Sequence, residues 1–274
     1  MFKKNKKQNA NGEMSFWEHL EALRWHFVRA LFAVILFSCV AFYFNEFIFD
    51  HIILAPKNAD FITNEILCLF GNKLNIDYFC VNNLNLKIIN TSMSGQFTIS
   101  IWISIIAGII VAIPYILFEI WLFVKPALNE NEKKHSRGFV WVTSFLFILG
   151  VVFSYFLIVP LTLNFLGTYK VSDNVENYIS LHSYMNTVSN LCLATGLTFE
   201  FPILVYFLTK IGIITPTFLV KQRKIIIIII LIIGAIITPP DIISQIMISI
   251  PLYLLFEMSV SISKKVFRKK IKKA

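Results

Sequence analysis

Residues 196–208 read GLTFEFPILVYFL and set one carboxylate, Glu200, among side chains that are mostly apolar. An ionised carboxylate in such a membrane-like run is costly unless it is paired or faces water. The whole chain shares this character, because 57% of its 274 residues are hydrophobic and only 15% are charged. Soluble domains carry roughly 25% charged residues. The sequence therefore predicts an all-α polytopic membrane protein.

Six apolar runs are interpreted as transmembrane helices, since a hydrocarbon core about 30 Å thick needs about 20 residues per helix. They cover residues 23–49, 95–124, 138–166, 184–214, 225–238 and 242–262. The fifth run is short, about 21 Å at 1.5 Å per residue. Its following turn, TPPD, is therefore expected to lie at depth or to thin the bilayer. Residues 50–90, between the first two spans, are predicted only as a long polar stretch.

Basic residues orient these spans. Of the 25 Lys and Arg, only Lys57, Lys73, Lys87 and Lys170 fall on one side, and the others fall on the side of both termini. The positive-inside rule then places both termini in the cytoplasm and the protein in the cytoplasmic (inner) membrane. The chain divides into a cytoplasmic N-terminal segment (residues 1–22), a six-span domain (23–262) and a basic cytoplasmic tail (263–274). Because the positive charge is spread over every inside loop, the sequence predicts the lipid bilayer as a partner and no nucleic acid.

Two cysteines, Cys68 and Cys80, fall in the first outside stretch. In an oxidising compartment they can form a disulfide, worth about 3 kcal/mol by loop closure. Spacing alone does not fix the geometry of a bridge, so a pair of unpaired thiols is the alternative.

Several intramembrane polar residues have two interpretations. Glu200 lies ten residues before Lys210, so about 15 Å into the membrane, and Pro202 is expected to kink the helix there. Glu200 either lines a concave, partly wet face that receives a substrate or bonds another helix, such as the one carrying Gln245. Glu119 and Glu257, nearer the cytoplasmic ends of their spans, can snorkel or pair with basic loops. Asp241 directly precedes the sixth span and can cap it.

Acidic residues also cluster at the basic cytoplasmic face. Glu18 and Glu21 lie on the polar side of an amphipathic segment before the first span, and Glu130 and Glu132 lie in the loop between spans two and three. Such carboxylates can bind guanidinium groups bidentately. They can also simply complement helix termini.

Four stretches together resemble one family. They are HLEALR (residues 19–24), FVKPALNENEKK (123–134), GLTFEFPILVYFL (196–208) and TPPDIISQIMISIPLYLLFE (238–257). In order and spacing they are similar to TatC, the multi-span receptor subunit of the twin-arginine protein translocase. The resemblance extends from about residue 15 to 262. It implies six transmembrane helices in a concave, glove-like arrangement, with a short hairpin of the fifth and sixth helices.

The resemblance also implies a function. A TatC protein binds the Arg-Arg signal peptides of folded cargo proteins at its cytoplasmic face. It then recruits the single-span proteins TatA and TatB into an oligomeric complex, and export is driven by the proton-motive force. The positions matching the family's signal-peptide site are Glu132, Phe123, Pro126, Leu20 and Arg24. Glu200, Gln245, Asp241 and Glu119 are assigned to intramembrane polar or partner contacts, and Pro56 and Pro202 to structure.

One position departs from the family pattern. The family's first motif, HL-x-EL-R, has an acid where this chain has Ala22, and Glu21 comes one residue earlier. One residue is about 100° around a helix. Either Glu132 carries more of the recognition, or Glu21 or Glu18 substitutes.

Two other function classes remain as alternatives: a proton-coupled secondary transporter using Glu200, and an intramembrane enzyme. Against the transporter, no inverted repeat is visible. Against the enzyme, Glu200 lacks a partner acid, nucleophile or set of metal ligands, and the histidines fall mostly in loops or interfaces. The sequence therefore predicts a non-enzyme without cofactor or metal.

Overall fold

The apolar runs fold into helices. The computed structural model describes residues 16–58, 60–74, 87–124, 136–169, 172, 177–237 and 242–271. The helices are α1 Phe16–Tyr43, α2 Ile62–Leu74, α3 Gly95–Val124, α4 Ser136–Phe153, α5 Val159–Thr168, α6 Leu181–Thr198, α7 Phe201–Ile211, α8 Pro216–Lys221, α9 Arg223–Ile237 and α10 Ile242–Ile271. Two short strands, β1 Ile88–Ile89 and β2 Ile179–Ser180, pair in parallel.

Five stretches of the described chain are long and apolar enough to cross a membrane. They are His19–Tyr43, Gly95–Val124, Val140–Thr168, Leu181–Ile211 and Gln245–Arg268. The remaining predicted span, the fifth, is α9, which has 15 residues. At 1.5 Å per residue it reaches about 22 Å, short of a hydrocarbon core of about 30 Å. The short fifth span predicted from the sequence is therefore confirmed.

The helix boundaries differ from the predicted spans in three places. The first helix ends at Tyr43, and a π-helical turn, Ile48–Ile53, follows it. The fourth span is not continuous, because a turn at Phe199 and Glu200 divides it into α6 and α7. The last helix runs to Ile271, beyond the predicted end at residue 262. In addition, α2 forms within the stretch that was predicted only as polar.

Hydroxyl groups from the later helices hold the π-helical turn Ile48–Ile53. The Tyr155 hydroxyl donates to the Ile52 carbonyl at 2.6 Å. The Tyr184 hydroxyl donates to the Ile53 carbonyl at 2.7 Å. Backbone carbonyls at a helix end need partners from outside the helix. These two bonds therefore fix the end of the first span to the core.

Side chains of α2 extend the same attachment. Pro56, predicted as a structural residue, is buried in the 3₁₀ turn Ala55–Lys57, and Asn64 donates to its carbonyl at 3.4 Å. The Thr63 hydroxyl donates to the carbonyl of Phe156. Thr63 and Asn64 are both buried, so their hydrogen bonds replace those that water would otherwise supply.

The core lies around α6, which packs against α3, α4 and α9. Its side chains Tyr184, Met185 and Leu191 are almost fully buried. Phe199, at the end of α6, is also buried among this core. Since α7 packs along α10, the turn that carries Glu200 is held between two rigid parts of the protein.

The first helix is attached differently, along one side of α3. A Cβ atom on Gly108 of α3 would lie 2.2 Å from Ser38 Oγ and 2.8 Å from Ser38 Cα. The two backbones therefore approach closely, as small residues allow in membrane helix pairs. Away from this contact, side chains such as Phe27 and Phe32 are exposed, as expected of a surface that faces lipid.

We expect Gly108→Ala to lower the free energy of unfolding by about 1–3 kcal/mol, since the new methyl group overlaps the α1 backbone. Gly138→Ala is the matched control, because nothing lies within 4 Å of a Cβ atom there. It should cause no loss, because alanine has the higher helix propensity. Thermal unfolding of both variants in detergent is the measurement. A Gly108→Ala protein as stable as the wild type would contradict the close contact.

Candidate functional site

The predicted site residues fall into described and undescribed groups. Glu132, Pro126, Asp241 and Cys80 lie outside the described residues, so their roles stay predictions. The described ones concentrate in two regions. One is the contact between the beginning of α1 and the end of α3, and the other is the turn between α6 and α7.

Two of the four motif stretches meet where α1 begins and α3 ends. The His19 ring stacks on the Phe123 ring with centroids 4.2 Å apart and an interplanar angle of 23°. The His26 ring meets Phe123 edge-on at 6.3 Å and 65°. These contacts place the first residue of the second motif against the first residue of the HLEALR motif.

The remaining motif residues of α1 surround this aromatic contact. Leu20, Glu21 and Arg24 are exposed, and Glu21 makes no hydrogen bond or ion pair within the described part of the chain. Ala22 lies three residues from His19 and four from His26, so it shares the side of α1 that faces α3. Glu21 points about 100° away from that side. It does not occupy the position left by Ala22.

A buried carboxylate lies one helical turn before Phe123. Glu119 is 3% exposed, and both of its oxygens are engaged. Tyr115 donates its hydroxyl to Oε1 at 2.7 Å. His26 Nδ1 lies 2.5 Å from Oε2, and Arg29 Nη1 lies 3.8 Å from the same oxygen. We call these four residues the Glu119 cluster; it joins α1 to α3 by charge and hydrogen bonds.

The Glu119 cluster corrects one expectation from the sequence. Glu119 neither snorkels nor pairs with a loop, because its partners, His26 and Arg29, belong to the transmembrane helix α1. A carboxylate at this depth gains most from partners that are fixed beside it. Spacing carries a signal for this arrangement. His19, His26 and Arg29 fall on one face of α1, opposite the i, i+4, i+8 series Tyr115, Glu119 and Phe123 of α3.

Glu200 lies at the break between α6 and α7. It is the N-cap residue of α7 but makes no side-chain capping bond there. Its Oε1 atom is buried and has no hydrogen-bond partner among the residues that the structure describes. Pro202 is buried in the first turn of α7, where its missing N–H costs no helical bond. The break therefore holds a carboxylate oxygen that can still accept a hydrogen bond.

Gln245 does not supply that bond. Its Nε2 donates to the Leu231 carbonyl of α9 at 3.0 Å, and Ser249 Oγ donates to the Gln245 carbonyl at 2.7 Å. The side chain thus ties the two arms of the α9–α10 hairpin together. The alternative in which Gln245 partners Glu200 is not seen in the described contacts.

A second ion pair closes the other end of that hairpin. Arg223 Nη2 at the start of α9 lies 2.9 Å from Glu257 Oε2 of α10. The Tyr253 hydroxyl donates to Glu257 Oε1 at 3.2 Å. Glu257 therefore pairs with a residue beside a basic loop, one of the two arrangements expected from the sequence.

Cysteine and metal chemistry add little to these two regions. Cys68 is disulfide-bonded, whereas Cys39 and Cys192 are free thiols. The predicted bridge to Cys80 stays a prediction, because Cys80 is outside the described residues. Within the described ranges, no group of three or more His, Cys, Asp or Glu is placed to hold a metal ion. The Glu200 oxygen without a described partner is suited to binding a basic or hydrogen-bond-donating group.

Comparison with known proteins assigns this fold. The family model described as Sec-independent protein translocase protein (TatC) matches residues 18–251. The chain is 40% identical to the TatC protein of Blattabacterium sp. subsp. Periplaneta americana over 96% of this chain and 100% of that protein. It is 35% identical to TatC of Aquifex aeolicus over 94% of this chain and 98% of that protein.

Solved structures agree with this assignment. Two crystal structures described as twin arginine translocase receptor TatC, one of them in DDM, are each 34% identical to the chain. They superpose with TM-scores of 0.66 and 0.68, covering 90% and 88% of this chain and 99% and 97% of theirs. The six-span, glove-like helical fold expected from the four motifs is confirmed by this agreement.

The Glu119 cluster leads to a stability prediction. Tyr115→Phe removes the only described donor to Glu119 Oε1 and should lower the free energy of unfolding by about 1–3 kcal/mol, the usual cost of a buried polar atom left unsatisfied. Tyr43→Phe is the control, because Tyr43 is 84% exposed and its hydroxyl loss should be neutral. Unfolding of both variants in detergent tests this. Equal stability of the two would argue against a Tyr115–Glu119 bond.

Proposed function

Because the chain belongs to the TatC family of Sec-independent protein translocase proteins, we propose that it is the receptor and core subunit of a twin-arginine translocase. In this role it binds the Arg-Arg signal peptides of folded proteins and is not an enzyme. It then nucleates assembly with TatA- and TatB-type single-span proteins into an oligomeric complex. Export of the cargo is driven by the proton-motive force.

One observation carries the binding part of this proposal: the stack of His19 on Phe123 at 4.2 Å. It brings the first two motifs together although they are about 100 residues apart in the chain. Leu20 and Arg24 are exposed beside the stack and can contact a peptide. Glu132, with Pro126 shaping the same loop, supplies the carboxylate, since carboxylates bind guanidinium groups bidentately.

A second region serves the transport step. Glu200 offers a buried oxygen without a described partner, at a helix break inside the fold. Signal-peptide and partner helices that enter this region can donate a hydrogen bond to it. Gln245 and Asp241, at the tip of the α9–α10 hairpin, are proposed to contact the same partner helices.

Charge distribution supports the proposed location in the cytoplasmic membrane with both termini in the cytoplasm. Lys264, Lys265 and Arg268 are exposed at the end of α10, where they can contact anionic lipid headgroups. The transporter alternative, which uses Glu200 as a proton relay, gains no support from the family match.

The proposed receptor role is tested with labelled signal peptides that differ only in Arg-Arg against Lys-Lys. We expect detergent-solubilised wild type to prefer the Arg-Arg peptide, and Glu132→Gln to reduce its affinity about tenfold or more, because a charge-assisted bond is worth roughly 1.5–3 kcal/mol. Glu65→Gln, at an exposed glutamate of α2, should bind as the wild type. Binding that ignores the arginines would overturn the receptor role.

Glu200→Met should separate binding from transport, because methionine fills the space without an acceptor. We expect export of a folded twin-arginine cargo into inverted membrane vesicles to fall about tenfold, the effect of losing one hydrogen bond of about 1.4 kcal/mol. Signal-peptide affinity in detergent should stay within about twofold. Glu46→Met, at an exposed glutamate, is the control and should export normally. Normal export by Glu200→Met would remove Glu200 from the mechanism.

A further inference from the structure

We propose that Glu119 is a positioning residue of the signal-peptide site: by holding His26, it fixes the ring of Phe123 against α1. This inference rests on the proposed function, since it concerns the binding of the Arg-Arg peptide. Glu119 itself is too buried to contact a peptide, so its effect is exerted through the aromatic contact beside it.

The carboxylate is held rigidly from both helices. Its Oε1 accepts from Tyr115 of its own helix at 2.7 Å, and its Oε2 lies 2.5 Å from His26 Nδ1 of α1. Arg29, one turn further along α1, adds positive charge 3.8 Å from Oε2. With each oxygen engaged, the carboxylate has one orientation, and so does the imidazole ring bound to it.

The orientation of His26 is passed to Phe123. Nδ1 of the imidazole is bound to Glu119, and the same ring meets Phe123 edge-on at 6.3 Å. His19 stacks on Phe123 from about two turns earlier on α1. Phe123 is therefore held by two rings of α1, one of which is locked by the carboxylate a single turn before Phe123 on α3.

This contact matters because, among the described residues, α1 packs mainly against α3. Side chains such as Phe27 and Phe32 of α1 are exposed, so they do little to fix the rotation of the helix. Dispersion contacts alone favour close approach, whereas a hydrogen bond to a buried carboxylate also fixes the register of the two helices. Leu20 and Arg24 lie on the same helix, so the Glu119 cluster sets their placement relative to Phe123.

The first test compares Glu119→Met with Glu119→Gln in full-length protein in detergent, using labelled Arg-Arg and Lys-Lys signal peptides. Methionine fills the space without an acceptor, and we expect Arg-Arg affinity to fall about tenfold, a typical coupling between contacting residues. The glutamine amide still accepts from Tyr115 and can bond His26. We therefore expect it to restore affinity to within about threefold of wild type.

The second test asks whether the effect runs through Phe123. In a Phe123→Leu background, Glu119→Met should cost less than about twofold, because the ring that Glu119 positions is already gone. Glu257→Met is the matched control: it breaks the Arg223–Glu257 pair in the α9–α10 hairpin, away from α1. It should lower the melting temperature without changing peptide affinity.

The outcomes separate the two levels of inference. Wild type that binds both peptides equally overturns the proposed function, and this inference with it. Two outcomes overturn the positioning role alone, provided that the wild type prefers the Arg-Arg peptide. In one, Glu119→Met binds that peptide with wild-type affinity. In the other, Glu119→Met loses as much affinity in the Phe123→Leu background as in the wild type. If Glu119→Met is markedly less stable than Glu257→Met, His26→Phe decides. It keeps an aromatic ring beside Phe123 but cannot bond Glu119, and wild-type affinity there overturns the role.

Discussion

Hydrocarbon offers no partner to a polar group, and that constraint orders the contacts of this protein. Several polar side chains of its described helices lie at helix–helix contacts. Glu119 meets His26 and Arg29 between α1 and α3, and the Gln245 amide reaches the Leu231 carbonyl between α10 and α9. The Thr209 and Ser263 hydroxyls bond each other at 2.9 Å between α7 and α10. Because each bond has a direction and a short range, it fixes the register of helices that lipid alone would leave free to slide.

The same constraint reverses the usual design of an amphipathic helix in α1. In water, the apolar face of a helix packs inward and its polar face is exposed. Here Leu20, Leu23 and Phe27 are exposed, while His19 and His26 lie against α3. Further along α1 and α3, the backbones approach closely at Gly108 and Ser38. This approach brings the two helices near enough for the short side-chain contacts of His19 and His26. The exposed residues of the first motif, such as Leu20, therefore lie beside the polar contact between α1 and α3.

Features set by local composition could be predicted from the sequence, and features set by register between helices could not. Span number, the short α9 and the break at Pro202 follow from run length and from the missing proline N–H. The partner of Glu119 depends on α1 and α3 lying antiparallel with His26 opposite Glu119. This register between two helices cannot be predicted from the sequence of either helix alone. The sequence offers the helix carrying Gln245 as a partner for Glu200, whereas in the tight hairpin Gln245 bonds the Leu231 carbonyl instead. The α2 helix escaped prediction because Thr63 and Asn64, the buried residues among its described side chains, are polar.

Two of the intramembrane carboxylates, Glu119 and Glu200, have opposite hydrogen-bonding states. Glu119 is saturated, with Tyr115 on one oxygen and His26 and Arg29 on the other, so a ligand could bind it only by breaking the α1–α3 contact. Glu200 lies at a helix break with Oε1 unmatched in the described structure, so a donor on an incoming helix would gain a bond at no cost to the fold. A buried unsatisfied acceptor is unfavourable in the resting protein. An unsatisfied Glu200 between α6 and α7 is understandable if its hydrogen-bond donor is supplied by a partner helix. Glu119, whose oxygens are both engaged, instead stabilises the contact between α1 and α3.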